Sequence, residues 1–284
     1  MQLYSFVQNF RYKDAPLHKR ELIKTCLLDI ISVAAGARNN QTSVMLKTYA
    51  DTHYSANKLS SRLWFDGRAV HPLGAAYAGG FCSDSLDAHE GHFTSKGHAG
   101  ATVVPAMTDL MRAHPVITAA LIETIDVETF HESVCLQGHF PKNADEAQYA
   151  LAFPLAALIV RGKLGPEEVT GDSIHAPDIL SISEKITLHE APDLSARFPE
   201  EILSRVTVTL KDGTRLTSPT ATAKGDPGNP MSSDELTAKY HLLADDSLGT
   251  TLSNAIKNSV EALPGSDDCQ SFFDLLLSAP KTAA

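Results

Sequence analysis

Apolar residues recur at a helical period before Pro115 and alternate at a strand period soon after it, so no all-α or all-β fold accommodates the whole chain. In APLHKRELIKTCLLDIISVAAGA, which starts at Ala15, residues Leu22, Ile23, Cys26, Leu27, Ile30 and Ile31 recur at helical spacing. Pro16 suits the first turn and Gly36 the stop. HPLGAAYAGGFC predicts a second helix, near 72–82, so rich in Ala and Gly that it must pack closely on its neighbours. A third helix is expected over about 101–112, and the first 112 residues therefore read as all-helical. Beyond Pro115, ETIDVETF alternates as a strand does, and ADEAQYALAFPLAALIVRG returns to helical spacing. ISEKITLHE and RVTVTLKDGTRL read as strands, the second turning back at Asp212-Gly213. After the loop KGDPGNPM, Ser232 or Ser233 is expected to cap a helix with Asp234 and Glu235 in its first turn. SNAIKNSVEAL and CQSFFDLLLSA add two amphipathic helices. The fold class expected is mainly α with an α+β part: a helical domain of residues 1–112 and 232–284, and an α+β domain of residues 113–231.

Composition narrows the function classes. The 284 residues are 43% hydrophobic with a formal net charge of -10, and clustered Lys and Arg are absent, which argues against a nucleic-acid partner. No apolar run reaches the length of a membrane span, and MQLYSFVQNFRYKDAP lacks the basic-then-apolar order of a secretory signal, so a cytoplasmic protein with no membrane partner is expected. Cys26, Cys82, Cys135 and Cys269 form no CxxC pair and are expected as reduced, mostly buried thiols.

The densest chemistry lies in LDAHEGHFTSKGHAGATVVPA, Leu86 to Ala106, where His89, His92, His98, Lys96, Asp87 and Glu90 precede an apolar run. Three readings stand beside one another. His and Asp suit a metal, although His89 and His92 are three apart and do not make HExxH. The histidines could simply decorate a polar loop. Or they form an acid/base site for carboxylates: imidazoles move protons near neutrality, Lys96 adds positive charge, and Gly97, Ala99 and Gly100 leave backbone N–H groups uncovered where a helix begins. KGDPGNPM lacks the lysine spacing of a phosphate-binding loop and reads as a turn, with Asp226 a turn residue. Trp64 reads as packing, and His131, His139, His175 and His189 receive no role.

Taken in order, APLHKRELIKTCLLDIISVAAGA, LDAHEGHFTSKGHAGATVVPA, HPVITAALIETIDVETF, DEAQYALAFPLAALIVRG, and RVTVTLKDGTRL followed by KGDPGNPMSSDELTAKYHLLA resemble the MmgE/PrpD family over nearly the whole chain. That family includes 2-methylcitrate dehydratase, cis-aconitate decarboxylase and iminodisuccinate epimerase. The resemblance implies a helical domain carrying most of the site, a smaller α+β lid, a homodimer, and proton transfer beside a carboxylate of a small polycarboxylate, with no metal and no cofactor. By matching position it implies Asp87, His98 and His114 as catalytic residues, and more loosely His89, His92 and Lys96 as carboxylate binders.

One departure stands out. Met111-Arg112-Ala113 runs straight into His114 where the family carries a long helical stretch with a further catalytic His and a Lys. The first expectation is a lyase of cis-aconitate decarboxylase type, with His98 and Lys96 gripping carboxylates and His114 and Asp87 acting as an acid/base pair. A 2-methylcitrate dehydratase-like or iminodisuccinate epimerase-like enzyme needs the same groups. The alternative of another class is a catalytically incomplete relative that binds or modulates a partner.

Overall fold

The computed structural model describes residues 2–88, 100–225, 228–266 and 268–280. The chain divides into two compact units, residues 1–90 with 233–284 and residues 91–232. In chain order the first unit opens with helices α1 (Gln2–Asn9), α2 (Leu17–Ala37) and α3 (Gln41–His53). Strands β1 (Ser61–Arg62) and β2 (Ala69–Val70) and helix α4 (Pro72–Asp84) follow. The second unit comprises α5 (Gly100–Ala113), β3 (Ile122–Thr129), α6 (His131–Val134), α7 (Ala144–Tyr149), α8 (Ala152–Arg161), α9 (Pro177–Ser183), β4 (Ile186–Glu190), α10 (Pro192–Ser195), β5 (Leu203–Leu210), β6 (Arg215–Thr217) and β7 (Ala221–Thr222). The chain returns to the first unit with α11 (Ser233–Leu248), α12 (Thr250–Ala262) and α13 (Gln270–Leu276). The architecture is mainly α with an α+β part, as the change of period requires.

In the first unit α2 packs along α11 because both present small residues: Ala34 and Ala35 meet a cluster containing Tyr240, Leu243 and Ala244, closed below by Ile256 and Val260 of α12. Tyr240 is 1% exposed and its hydroxyl donates to the Ser253 carbonyl at 2.7 Å; burial pushes its pKa up to about 12. The Ala/Gly-rich helix does pack closely, since a Cβ on Gly74 of α4 would stand 2.6 Å from Cβ of Tyr54, just past α3. The all-helical reading of this region missed one feature. Strands β1 and β2 pair antiparallel around Trp64, and the Phe65 amide donates to the Leu276 carbonyl at the end of α13 at 2.8 Å. Two-residue strands leave no period to read in a sequence.

Two cations cap helix C-termini inside this unit. Lys47 of α3 is 4% exposed and its ammonium donates to the Arg38 carbonyl, the C-cap of α2, at 3.2 Å. The Arg38 guanidinium in turn donates to the Ser247 carbonyl of α11 at 2.6 Å. Burial lowers the Lys47 pKa. A lysine with a folded pKa below its unfolded value penalises the fold fully while both states are charged. That penalty is relieved as pH rises from the folded pKa to the unfolded value of about 10.4. Urea midpoints of the wild type should therefore rise relative to those of Lys47→Met between neutral pH and pH ~10; parallel curves would show the buried charge carries no penalty.

The second unit holds a sheet ordered β4-β3-β5-β6, with β3 and β4 parallel, the other pairs antiparallel, and β7 paired to β5. The strand predicted from ETIDVETF and the hairpin at Asp212-Gly213 both form, with Gly213 at φ +87°. One sheet face is apolar, built from Ile125, Val127, Ile186, Leu188, Val206 and Val208, and packs under α5 and α8. The other is polar and carries the His189–Asp126 pair at 2.9 Å and the Arg205–Asp193 pair at 3.0 Å. The segment at helical spacing from Ala144 forms two helices, α7 and α8, because Ala150 between them is extended (φ -72°, ψ 157°) and Pro154 belongs to a first turn. The helix expected near 101–112 does not pack with the N-terminal helices. Instead Val103, Ala106, Met107 and Leu110 of α5 are buried against the sheet of the second unit, so the division falls at residues 90 and 91 rather than 112 and 113.

None of the four cysteines is in a disulfide, but the expectation of mostly buried ones fails: Cys82 is buried, Cys26 half-buried, and Cys135 and Cys269 are exposed. Among the described residues no helix is long and apolar enough to cross a membrane.

Candidate active site

Asp87 lies at the exit of α4. Leu86 is 9% exposed and anchors this exit in the core of the first unit, and the Asp87 amide donates back to the Asp84 carbonyl at 2.8 Å. The turn forces Asp87 to φ +47°, a left-handed conformation that costs a non-glycine residue about 1 kcal/mol and persists only where surrounding contacts hold it. Those contacts are visible one residue later. The Lys239 ammonium of α11 donates to the Ala88 carbonyl at 2.7 Å and pairs with Asp29 of α2, also at 2.7 Å. The Asp29 side chain is 11% exposed, so this ion pair ties α2, α11 and the Asp87 turn in a partly dry setting.

Neither Lys239 nor Asp29 emerged from the sequence. Lys239 stands in SSDELTAKYH, where it reads as one more charge on an amphipathic helix. Its partner carbonyl lies 151 residues away, and no local pattern reports such a contact.

His114 follows α5. Its amide donates to the Leu110 carbonyl at 3.0 Å and its carbonyl accepts from the Ile117 amide at 3.0 Å, which turns the chain out of the helix and leaves the side chain half-buried. Helix α5 has 14 residues, a length of about 21 Å. His114 thus stands at the far end of α5 from Gly100, where the histidine-rich segment joins it. His89, His92, Lys96 and His98 lie outside the described residues. Among the described residues no group of three or more His, Cys, Asp or Glu is placed to hold a metal ion.

Residues 1–128 match the MmgE/PrpD N-terminal domain, and residues 93–264, more than half of the chain, match the MmgE/PrpD C-terminal domain. The chain belongs to the MmgE/PrpD family. The two matches overlap over residues 93–128, which take in α5 and nearly all of β3. Among curated MmgE/PrpD proteins, the cis-aconitate decarboxylase of Mus musculus is 26% identical over 141 residues, covering 50% of this chain and 28% of the mouse protein. The cis-aconitate decarboxylase of Homo sapiens is likewise 26% identical over 141 residues, covering 50% of this chain and 29% of the human protein. The match spans less than a third of the length of these curated relatives.

Proposed function

We propose that the chain is a lyase for a small di- or tricarboxylate, of the cis-aconitate decarboxylase type. The observation that carries this reading is the similarity to two cis-aconitate decarboxylases, in a chain whose N-terminal family match takes in the histidine-rich segment. The strained, anchored Asp87 turn supports it, because a left-handed aspartate held by a partly buried ion pair is a place where the fold spends stability on position. Breaking the C–C bond of such a substrate releases CO2 and leaves the electron pair on carbon, and an imidazolium is a suitable proton donor there. His98 is assigned that proton, with Asp87 as its acid/base companion, and His89, His92 and Lys96 are assigned the remaining carboxylates. His114, set off by the length of α5, enters as a further acid/base group. The working form is proposed to be a homodimer in the cytoplasm.

Proton NMR of the full chain incubated separately with cis-aconitate, 2-methylcitrate and citrate tests the reading. Product is expected from cis-aconitate, with His98→Ala lowering the rate by about 10²–10⁴-fold. Product from 2-methylcitrate instead would move the assignment to the dehydratase type. Full activity in His98→Ala would remove His98 from it. One observation favours a second reading, a catalytically incomplete relative that binds or modulates a partner: Met111-Arg112-Ala113 runs straight into His114, where the resemblance places a long helical stretch with a further catalytic His and a Lys. Folded protein that binds a carboxylate yet turns over none of the three would select it.

A further inference from the structure

Among the described residues only Phe65 and Asp87 hold a positive φ without being glycine. At Phe65 burial offsets the strain, since the ring is 1% exposed in the core of the first unit. Asp87 has no such compensation: its side chain is polar and only half-buried. What it has instead is a backbone fixed on both sides. Leu86 before it sits in the core, and the Asp87 amide is bonded to the Asp84 carbonyl; after it, the Ala88 carbonyl is held by the Lys239 ammonium at 2.7 Å. With the chain pinned immediately before and after Asp87, the direction of its Cα–Cβ bond is set.

Lys239 is itself placed with little freedom. It precedes Tyr240, which is 1% exposed and bonded through its hydroxyl to the Ser253 carbonyl, so the stretch of α11 that carries Lys239 is fixed. Its ammonium stands 2.7 Å from the Ala88 carbonyl oxygen and 2.7 Å from an Asp29 carboxylate oxygen. The Asp29 side chain is 11% exposed, beside a contact of α2 with α11 that includes Ala34, Ala35, Leu243 and Ala244. In such a setting an ion pair is a weak source of stability, because well-packed apolar residues of similar volume serve as well or better. What an apolar pair cannot supply is a directed donor to the Ala88 carbonyl.

We infer that Lys239 is a positioning residue: through the Ala88 carbonyl it aims the Asp87 carboxylate at the substrate, and Asp29 orients the Lys239 ammonium. The inference rests on the lyase reading, in which Asp87 is an acid/base group. It goes beyond the stability of the turn, because misplacing a reacting group by about 1 Å costs on the order of 10²-fold in rate even where the fold is intact. The effect falls on the chemical step and not on carboxylate binding, which that reading gives to His89, His92 and Lys96.

Steady-state kinetics of the full chain, run on whichever of cis-aconitate, 2-methylcitrate and citrate the wild type consumes, tests it beside urea unfolding. Lys239→Met is expected to lower kcat by about 10- to 10²-fold with KM held within about twofold. The decisive variant combines Lys239→Met with Asp29→Leu, an apolar pair in place of the ion pair. Its stability is expected to return toward that of the wild type while kcat stays about tenfold or more down. Tyr240→Phe takes a hydrogen bond from the same helix without touching the Asp87 turn, and is expected to lose stability and keep its rate. A double variant that regains rate together with stability overturns the inference, because Lys239 then acts only on the fold. So does a wild-type kcat in Lys239→Met, or an equal loss of rate in Tyr240→Phe. A wild type that consumes none of the three carboxylates is a different failure, that of the lyase reading itself, and the inference falls with it.

Discussion

Gly138→Ala is expected to lower stability by about 2–4 kcal/mol, because two separate costs fall on one residue. Gly138 lies at φ +47°, where an alanine is strained whatever its surroundings, and its Cβ would stand 2.6 Å from Cβ and 3.2 Å from Cα of Ala150. The second contact is with backbone, so the loop must shift as a body. That loop is the N-terminal cap of α8: the carbonyls of Leu136, Gln137 and Gly138 accept from the amides of Leu151, Ala152 and Phe153 at 2.8, 2.8 and 3.3 Å. Moving it uncovers amides at the start of the helix that places Phe153 and Leu155 in the core of the second unit. Gly213→Ala is the internal control, since Gly213 lies at φ +87° with nothing within 4 Å of a Cβ; only the backbone cost of about 1 kcal/mol should appear. Urea unfolding of both variants checks this, and equal small losses would show that the Ala150 contact relaxes freely.

Lys239→Met is expected to lower stability by about 2 kcal/mol, and to loosen the Asp87 turn beyond what that global loss explains. The substitution keeps the aliphatic stem but removes the ammonium from two acceptors, the Ala88 carbonyl and the Asp29 carboxylate. Asp29 is left charged and 11% exposed, which is the more costly half of the change, while the turn loses the contact that offsets its left-handed aspartate. Adding Asp29→Asn should recover part of the loss in a double-mutant cycle, because the stranded charge is then gone. Hydrogen exchange provides the local readout. The Asp87 amide, bonded to the Asp84 carbonyl, should exchange faster in Lys239→Met while amides of the α2–α11 contact keep protection scaled to global stability. Uniform acceleration would mean that Lys239 only stabilises the unit and does not hold the turn.

Much of the fold was legible in the sequence. Helices α2, α4, α5, α11 and α12 and strands β3 and β5 follow from apolar period and punctuation, since burying one face of a regular element imposes that period on the residues. The run of His89, His92, Lys96 and His98 beside Asp87 and Glu90 marked a candidate site by residue type and density alone, which a sequence displays directly.

What only the tertiary structure decided concerns contacts that no local pattern encodes. The apolar face of α5 would suit either unit, and its burial by Val103, Met107 and Leu110 on the sheet assigns it to the second. Lys239 and Ala88 are 151 residues apart, so the anchor of the Asp87 turn exists only once α2 and α11 have packed. Lys47 reads as an exposed cation on an ordinary helix, and becomes a buried cap because the C-termini of α2 and α11 converge beside it. The Ala/Gly richness of α4 announced a close approach but not its side. Gly74 spends it inside on Tyr54, while Gly80 and Ala76 lie open. In each case the sequence by itself determined the element and its apolar face, through local sterics and periodic burial. Which surfaces meet depends on the whole chain collapsing at once, and only the folded coordinates record it.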